Sequence, residues 1–201
     1  MAFYEIDGIK PVVDPSSFVH PEAVVIGDVI IGPNCYIAPL AALRGDFGRI
    51  VLEAGVNIQD SCVLHGFPET DTIIEADGHI GHAAVIHGCR IGRNALIGMN
   101  AVIMDNAVIG ESSIVAACAF VKAGMLVPPK VLVAGMPAKI LRDLTEAEMA
   151  WKIEGTDMYK DLAVRSLKTL KPCMPLQELE PNRKKFDLPG NKPLDAFKKQ
   201  K

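Results

Sequence analysis

Aromatic residues are scarce in this chain, at 5% of 201 residues with a single tryptophan. Two thick sheets packed face to face call for large inward side chains, so a chain that is 49% hydrophobic yet poor in rings suits narrow, repetitive layers of small aliphatics. An excess of positive charge is also missing: 21 Lys and Arg stand against 24 Asp and Glu, for a net charge of −3. Nucleic acid is therefore not an expected partner. No window reaches the roughly 18 consecutive apolar residues of a membrane span, so no membrane association is expected either. The opening MAFYEIDGIKPVVD has neither the basic region nor the apolar run of a secretory leader, and a cytoplasmic location is expected. The five cysteines (Cys35, Cys62, Cys89, Cys118, Cys173) form no CxxC pair. The four inside the repetitive region read as buried thiols in a reducing compartment.

What the chain does have is a period of six. Aliphatics fall at Val13, Val19, Val25, Ile31, Ile37 and Leu43, resume at Ile58, Leu64, Ile80 and Ile86, and after one shorter step continue at Ile91, Ile97, Ile103, Ile109, Val115 and Val121. A small residue follows most anchors four positions later (Ala23, Cys35, Ala41, Cys62, Ala84, Ala95), and a turn former often follows two positions later (Pro15, Pro21, Gly27, Pro33, Pro39). Strand side chains alternate faces, so the anchor and the small residue two before it both point inward, and the turn former bends the chain round a corner. Three such faces close a triangular coil of about 18 residues, and coils stack about 4.8 Å apart. No amphipathic helix has this period. The expected fold is all-β with a C-terminal α segment: a parallel β-helix of hexapeptide repeats over 1–139, a helical segment over 140–171 and an extended Pro- and Lys-containing tail over 172–201.

Two stretches break the period. RGDFGRIVLEAGVN (44–57) loosely continues the coil, whereas 66–79 reads as one strand from Thr72 to Glu75 wrapped in a protruding loop. Insertions on one face of a solenoid often carry function. Beyond Lys139, Thr145-Glu-Ala-Glu148 is a capping-box signature. It predicts one helix ending near Gly155 and a second from about Thr156 to Leu170, with Met158, Leu162 and Leu170 turned to the body.

Four of the five histidines (His65, His79, His82, His87; the fifth is His20) lie within 23 residues around the second break. His65 and His87 each follow an anchor by one, so both project outward at a strand's end, one coil apart. Imidazoles separated by about 4.8 Å can share a metal at roughly 2.0–2.1 Å from each nitrogen. His82 sits at a corner, a strand of roughly 16 Å away from His87, and cannot join them within one chain. A neighbouring copy can supply it, which predicts a homotrimer with a His₃ site at each interface. Three histidines with an open fourth position are the catalytic zinc pattern, in which the metal lowers the pKa of bound water to about 7. Cys89 reads as buried rather than ligating, His79 as lying beside the site, and His20 as structural.

The segments LRGD (43–46), NIQD (57–60), VLHG (63–66) and GHAAVIHGCRIG (81–92) resemble the γ-class carbonic anhydrase family over about residues 10–140. The resemblance implies a left-handed β-helix, a homotrimer, and zinc (alternatively iron or cobalt) on His65, His82 and His87. It further implies an Arg44–Asp60 ion pair across the interface, Gln59 orienting the metal-bound water, and Asp46 and His79 around them. HGFPETDT, GHIGH, GMNAVIMD, AFVKAG, AWKIEGTDMY and PLQELEPNR are similar to the subfamily of phenylacetate-degradation accessory proteins, with the carnitine-operon proteins as near relatives. For that subfamily the expected activity is hydrolysis of an aromatic acyl-CoA thioester. Two positions depart from the anhydrase pattern: Phe47 replaces a glutamate after the Arg-x-Asp motif, and Pro68 stands where the proton-shuttle glutamate belongs, with Glu69 one step later as the candidate for that role. Fast CO₂ hydration needs such a shuttle. The alternatives to thioester hydrolysis are a carbonic anhydrase, a CoA-dependent acyltransferase using one histidine as base, a carnitine-metabolism accessory protein, and a non-catalytic assembly partner whose metal only staples the trimer.

Overall fold

Each inward anchor meets its counterpart one coil away, and these ladders build the fold. In the computed structural model, which describes residues 2–188 and 193–198, Ile37 pairs with Ile58, Ile58 with Ile80 and Ile80 with Ile97 on one face of a prism. Leu43, Leu64, Ile86 and Ile103 do the same on a second face, and Leu52, Ile74, Ile91 and Ile109 on the third. All twelve side chains are at most 1% exposed. The result is a parallel β-solenoid of about seven turns, consistent with a left-handed β-helix. The first face runs from Phe18–Val19 through Asn57–Ile58, His79–Ile80 and Leu96–Ile97 to Val131–Gly135, where the antiparallel strand Ala138–Asp143 closes it. Val24–Ile31 and Ala42–Leu52 are long enough to run round a corner and belong to the second and third faces at once.

Corners are turned by left-handed residues three positions after an anchor. Asn94, Asn100 and Asn106 have φ of 55°, 57° and 57°, a conformation asparagine tolerates through local hydrogen bonding. Cys118 occupies the same corner position (φ 59°) and is exposed, not buried as expected. The inward small site of that coil is Ala119. Cys35, Cys62 and Cys89 are buried, and burial pushes the Cys89 thiol up to about 12, which leaves it protonated and inert at neutral pH.

Two expectations about the C-terminal segment need correction. One helix, α1 (Glu146–Thr169), replaces the predicted pair. A single interior glycine costs only about 1 kcal/mol, and Lys152 and Thr156 on either side of Gly155 are both anchored on the solenoid. The buried strip is Glu148, Lys152, Thr156, Ala163 and Ser166, while Met158 and Leu170 are 37% and 54% exposed. Polar burial wins because partners await it. Lys152 Nζ donates to the Asp77 carbonyl at 2.5 Å and to Asn94 Oδ1 at 2.7 Å, and Lys160 Nζ pairs with Asp77 at 2.6 Å. The capping box is present, with Thr145 N donating to Glu148 Oε2 at 2.9 Å and Glu148 N to Thr145 Oγ1 at 3.2 Å. Arg142 adds a two-pronged bond to the same carboxylate at 2.8 and 2.9 Å. The tail from 172 to 188 has neither helix nor strand, and a short helix α2 (Leu194–Lys198) lies against α1. No helix among the described residues is long and apolar enough to cross a membrane.

Candidate metal site split between two edges

The corner between the second and third faces is where the repeat fails. Asp46, Phe47, Gly48 and Arg49 together oppose the single residue Asp28 of the coil below, and residues 66–71 bulge out one coil above. Gly48 lets the two excursions meet: a Cβ there would strike the carbonyl oxygens of Phe67 and Thr70. One coil further the corner is shortened at Gly88 (φ 52°), and a Cβ there would lie 2.8 Å from Asp105 Oδ1. Without it the Asp105 carboxylate reaches His87.

His65 and His87 are register partners on this edge, as expected, with Arg44 next in the same column. Their ring centroids are 5.2 Å apart, and His65 Nδ1 faces His87 Nε2 at 3.2 Å. Each ring's other nitrogen meets a carboxylate: His87 Nδ1 with Asp105 Oδ1 at 2.5 Å, and His65 Nε2 with Asp46 Oδ1 at 2.9 Å. A carboxylate only accepts, so both of those nitrogens carry the proton. The two facing nitrogens then present lone pairs to one point, an arrangement that repels unless a proton or cation sits between them. A tetrahedral ion at about 2.05 Å from each would set the nitrogens about 3.3 Å apart, close to the 3.2 Å observed. The donor set fits a metal such as zinc, including the carboxylate partners that metal-bound imidazoles characteristically have. Phe47 and Phe67 wall the pair, with centroids 5.3 Å from His65 and 5.0 Å from His87.

His82 stands on the other edge of the second face, where Asp60 Oδ2 accepts from its Nδ1 at 2.8 Å and leaves Nε2 outward. Among the described residues no group of three ligating side chains gathers within one chain. Arg44 and Asp60 are divided in the same sense: Arg44 Nη1 binds Asp46 Oδ2 at 2.6 Å on the histidine-pair edge, and Asp60 stays with His82.

Gln59 is 3% exposed beside that second edge. Its Nε2 donates to Asn57 Oδ1 at 3.1 Å and lies 2.7 Å from His79 Nε2, whose Nδ1 is 3.5 Å from Thr156 Oγ1 of α1. Burial, then the charges of Lys152 and His82, pull His79 down to about 3, so its ring is neutral. With Nε2 as acceptor, both Gln59 amide hydrogens are engaged and Oε1 is the atom left free. Asn57 Nδ2, also buried, finds no partner among the described residues. Glu69 lies at φ 64° on the exposed loop tip, and no hydrogen bond or ion pair ties it to the histidines.

Asp105 and Phe67 are the contacts that sequence reading missed. Asp105 stands 18 residues after His87, one past the 17-residue step that pairs Ile86 with Ile103, so its carboxylate reaches the imidazole across the corner shortened at Gly88.

Residues 88–123 match the family described as bacterial transferase hexapeptide (six repeats). The chain is similar to the carnitine operon protein CaiE of Citrobacter koseri, at 55% identity over 91% of this chain and 93% of that protein. A hexapeptide transferase family protein from Anaplasma phagocytophilum shares 38% identity with a TM-score of 0.78, over 81% of this chain and 96% of the other. AntD, an N-acyltransferase from Bacillus cereus solved with 3-hydroxybutyryl-CoA, has a TM-score of 0.61 over 75% of this chain and 92% of its own, at 17% identity, and so shares the fold alone.

Proposed function

We propose, for a chain that belongs to the hexapeptide-repeat family of the carnitine operon protein CaiE, metal-dependent hydrolysis of an aromatic acyl-CoA thioester at the edge between two copies of the solenoid, in phenylacetate catabolism. One observation carries the reading: three histidines on two edges, each with one nitrogen fixed by a carboxylate (Asp46, Asp105, Asp60) and the other left to bind. His65 and His87 of one copy and His82 of the next would hold zinc, with iron or cobalt as alternatives. When bound, the ion supplies a Lewis acid and makes a nucleophile from water near neutral pH.

The second face lies between these two edges, and its outward column Val24, Ala42, Val63, Val85, Val102 and Phe120 is apolar in unbroken register. Three copies closing on this face bury that column at the axis and bring each His82 edge to the next copy's His65–His87 edge. Arg44 and Asp60 then meet across the same seam. Gln59 Oε1 orients the attacking water, and the Phe47 and Phe67 rings put apolar surface beside the histidine pair where a polar exit for protons would be needed, which favours thioester over CO₂. A carbon–oxygen bond forms, the carbon–sulfur bond breaks, and the products are the free acid and coenzyme A thiol.

Thiol release from phenylacetyl-CoA-type thioesters tests the reading: it is expected from metal-replete protein, lost on chelation and restored by zinc. No release from any thioester by replete protein overturns it. A second reading, acyl transfer, is favoured by the short His87–Asp105 contact, which suits a general base, and by the transferase relatives. It requires an acceptor and is indifferent to chelation.

A further inference from the structure

Beside α1 lies a cavity of about 400 Å³ whose walls include Leu96, Trp151, Met158 and Leu162, with His79 at its inner end and Arg165 at its rim. Its position on the helix can be fixed. A separate cavity on the opposite flank of α1 is lined by Asp77, Asn94, Ser112 and Lys130, all from the corner between the third and first faces. The Trp151 cavity therefore opens along the other flank, toward the corner that carries His82. From its floor at His79 and Leu96 the chain reaches that corner through Gly81 and Gly98, two positions without side chains. Three residues of strand span about 10 Å, so the floor of the cavity at His79 and the His82 corner lie about that far apart along the first face. The cavity's lining residue His79 contacts Gln59 at 2.7 Å. The tail supplies the outer wall with Leu188, and Arg165 rests over the Phe186 ring at 5.3 Å.

We infer that this cavity between α1 and the first face is the acyl pocket, receiving an aromatic acyl group whose carbonyl lies at the His82 edge; the assignment rests on the thioester reading above. Its volume sits at the small end of ligand pockets, enough for a ring and a short chain and too little for the nucleotide of coenzyme A, which stays outside. Indole, thioether and leucine side chains suit a flat apolar group, and the Arg165 guanidinium at the rim can meet a carbonyl or carboxylate oxygen.

Trp151 is the sole tryptophan, so its fluorescence reports on the pocket without catalysis. Phenylacetate titrated into the intact protein is expected to give a saturable change, weakened about tenfold or more by Leu96→Phe, which fills the cavity, and by Leu162→Arg, which charges it. In turnover assays the same variants should lower kcat/KM for phenylacetyl-CoA about tenfold or more relative to acetyl-CoA, whose methyl needs no pocket. Circular dichroism checks that each variant is folded; Leu162→Arg, on the open flank, serves if Leu96→Phe is not. A saturable Trp151 signal that both variants weaken, with no thioester cleaved, supports the pocket and overturns the hydrolase. Thioester cleavage whose aromatic preference survives both variants, or the absence of any saturable signal, overturns the pocket and leaves the hydrolase standing.

Discussion

Residues 91–133 and residues 44–90 are built on the same inward ladder but use their corners differently. In the later stretch first-face strands recur every 18 residues, from Leu96–Ile97 to Ile114–Val115, and the left-handed positions are filled by small polar residues such as Asn94, Asn106 and Ser112. In the earlier stretch the spacing stretches and then shortens, and every change falls at one corner, next to His65 and His87. Perfect repetition makes a rod. Chemistry collects where repetition is broken, because only there do side chains leave the stack far enough to converge on one another.

The sharpest way to test that division is to strike each stretch in turn. Ile97→Asp puts a carboxylate among fully buried aliphatics and should cost at least about 4 kcal/mol, leaving little folded protein by circular dichroism. Phe67→Ala on the loop should shift the thermal midpoint by only a degree or two, since a half-exposed ring contributes about 0.5 kcal/mol or less. Equal destabilisation by the two would erase the distinction between scaffold and site.

Next in size is Asp105→Asn. An amide in place of the carboxylate can donate to His87 Nδ1, which turns the ring to the other tautomer and points an N–H at His65. Zinc retention measured by elemental analysis should fall about 10- to 100-fold, with the melting curve unchanged. Full zinc content in Asp105→Asn would show that the 2.5 Å contact does not set the tautomer.

The pH effects both come from the helix-covered first face. His79 is neutral in the fold, its pKa pulled down to about 3 from the ordinary 6.5 of a free imidazole. Between those values the unfolded chain binds the extra proton, so stability rises with pH across that window and is lost as pH falls from about 6.5 toward 3, by up to about 1.4 kcal/mol per unit. Lys152, drawn down to about 7 by burial from 10.5, has the same sign in a higher window: stability should rise from about pH 7 toward 10.5. Urea midpoints should show the acid slope flattened in His79→Gln and the alkaline slope flattened in Lys152→Met. A slope that persists in either variant would assign it to other groups.

The solenoid was legible because its physical cause is local: an inward aliphatic every sixth residue admits no other packing. The histidine pair was legible for the same reason, since His65 and His87 share a phase with their anchors. The course of α1 was not. Its buried strip is polar, and Lys152 is buried because Asp77 and Asn94, more than 50 residues earlier, offer it oxygens that no pattern within the helix reveals. Asp105 was hidden differently: the corner at Gly88 drops a residue, so the contact falls one position past the register partner of His87.

Glu69 gives the smallest expected effect and bears on the role of the loop itself. It is the predicted catalytic side chain on the broken corner for which the described residues provide no hydrogen bond or ion pair: the loop turns left-handed there, and Glu69 is exposed. A general acid or base must come within hydrogen-bond reach of the proton it moves, directly or through one water. If the loop's contribution is the Phe67 ring on His87 rather than this carboxylate, Glu69→Gln should change thioester kcat by less than about twofold and leave its pH profile in place, while Phe67→Ala raises KM. A large fall in kcat for Glu69→Gln, with an altered acid or alkaline limb, would instead give the loop a proton-transfer role, with Glu69 drawn to the histidines when substrate binds.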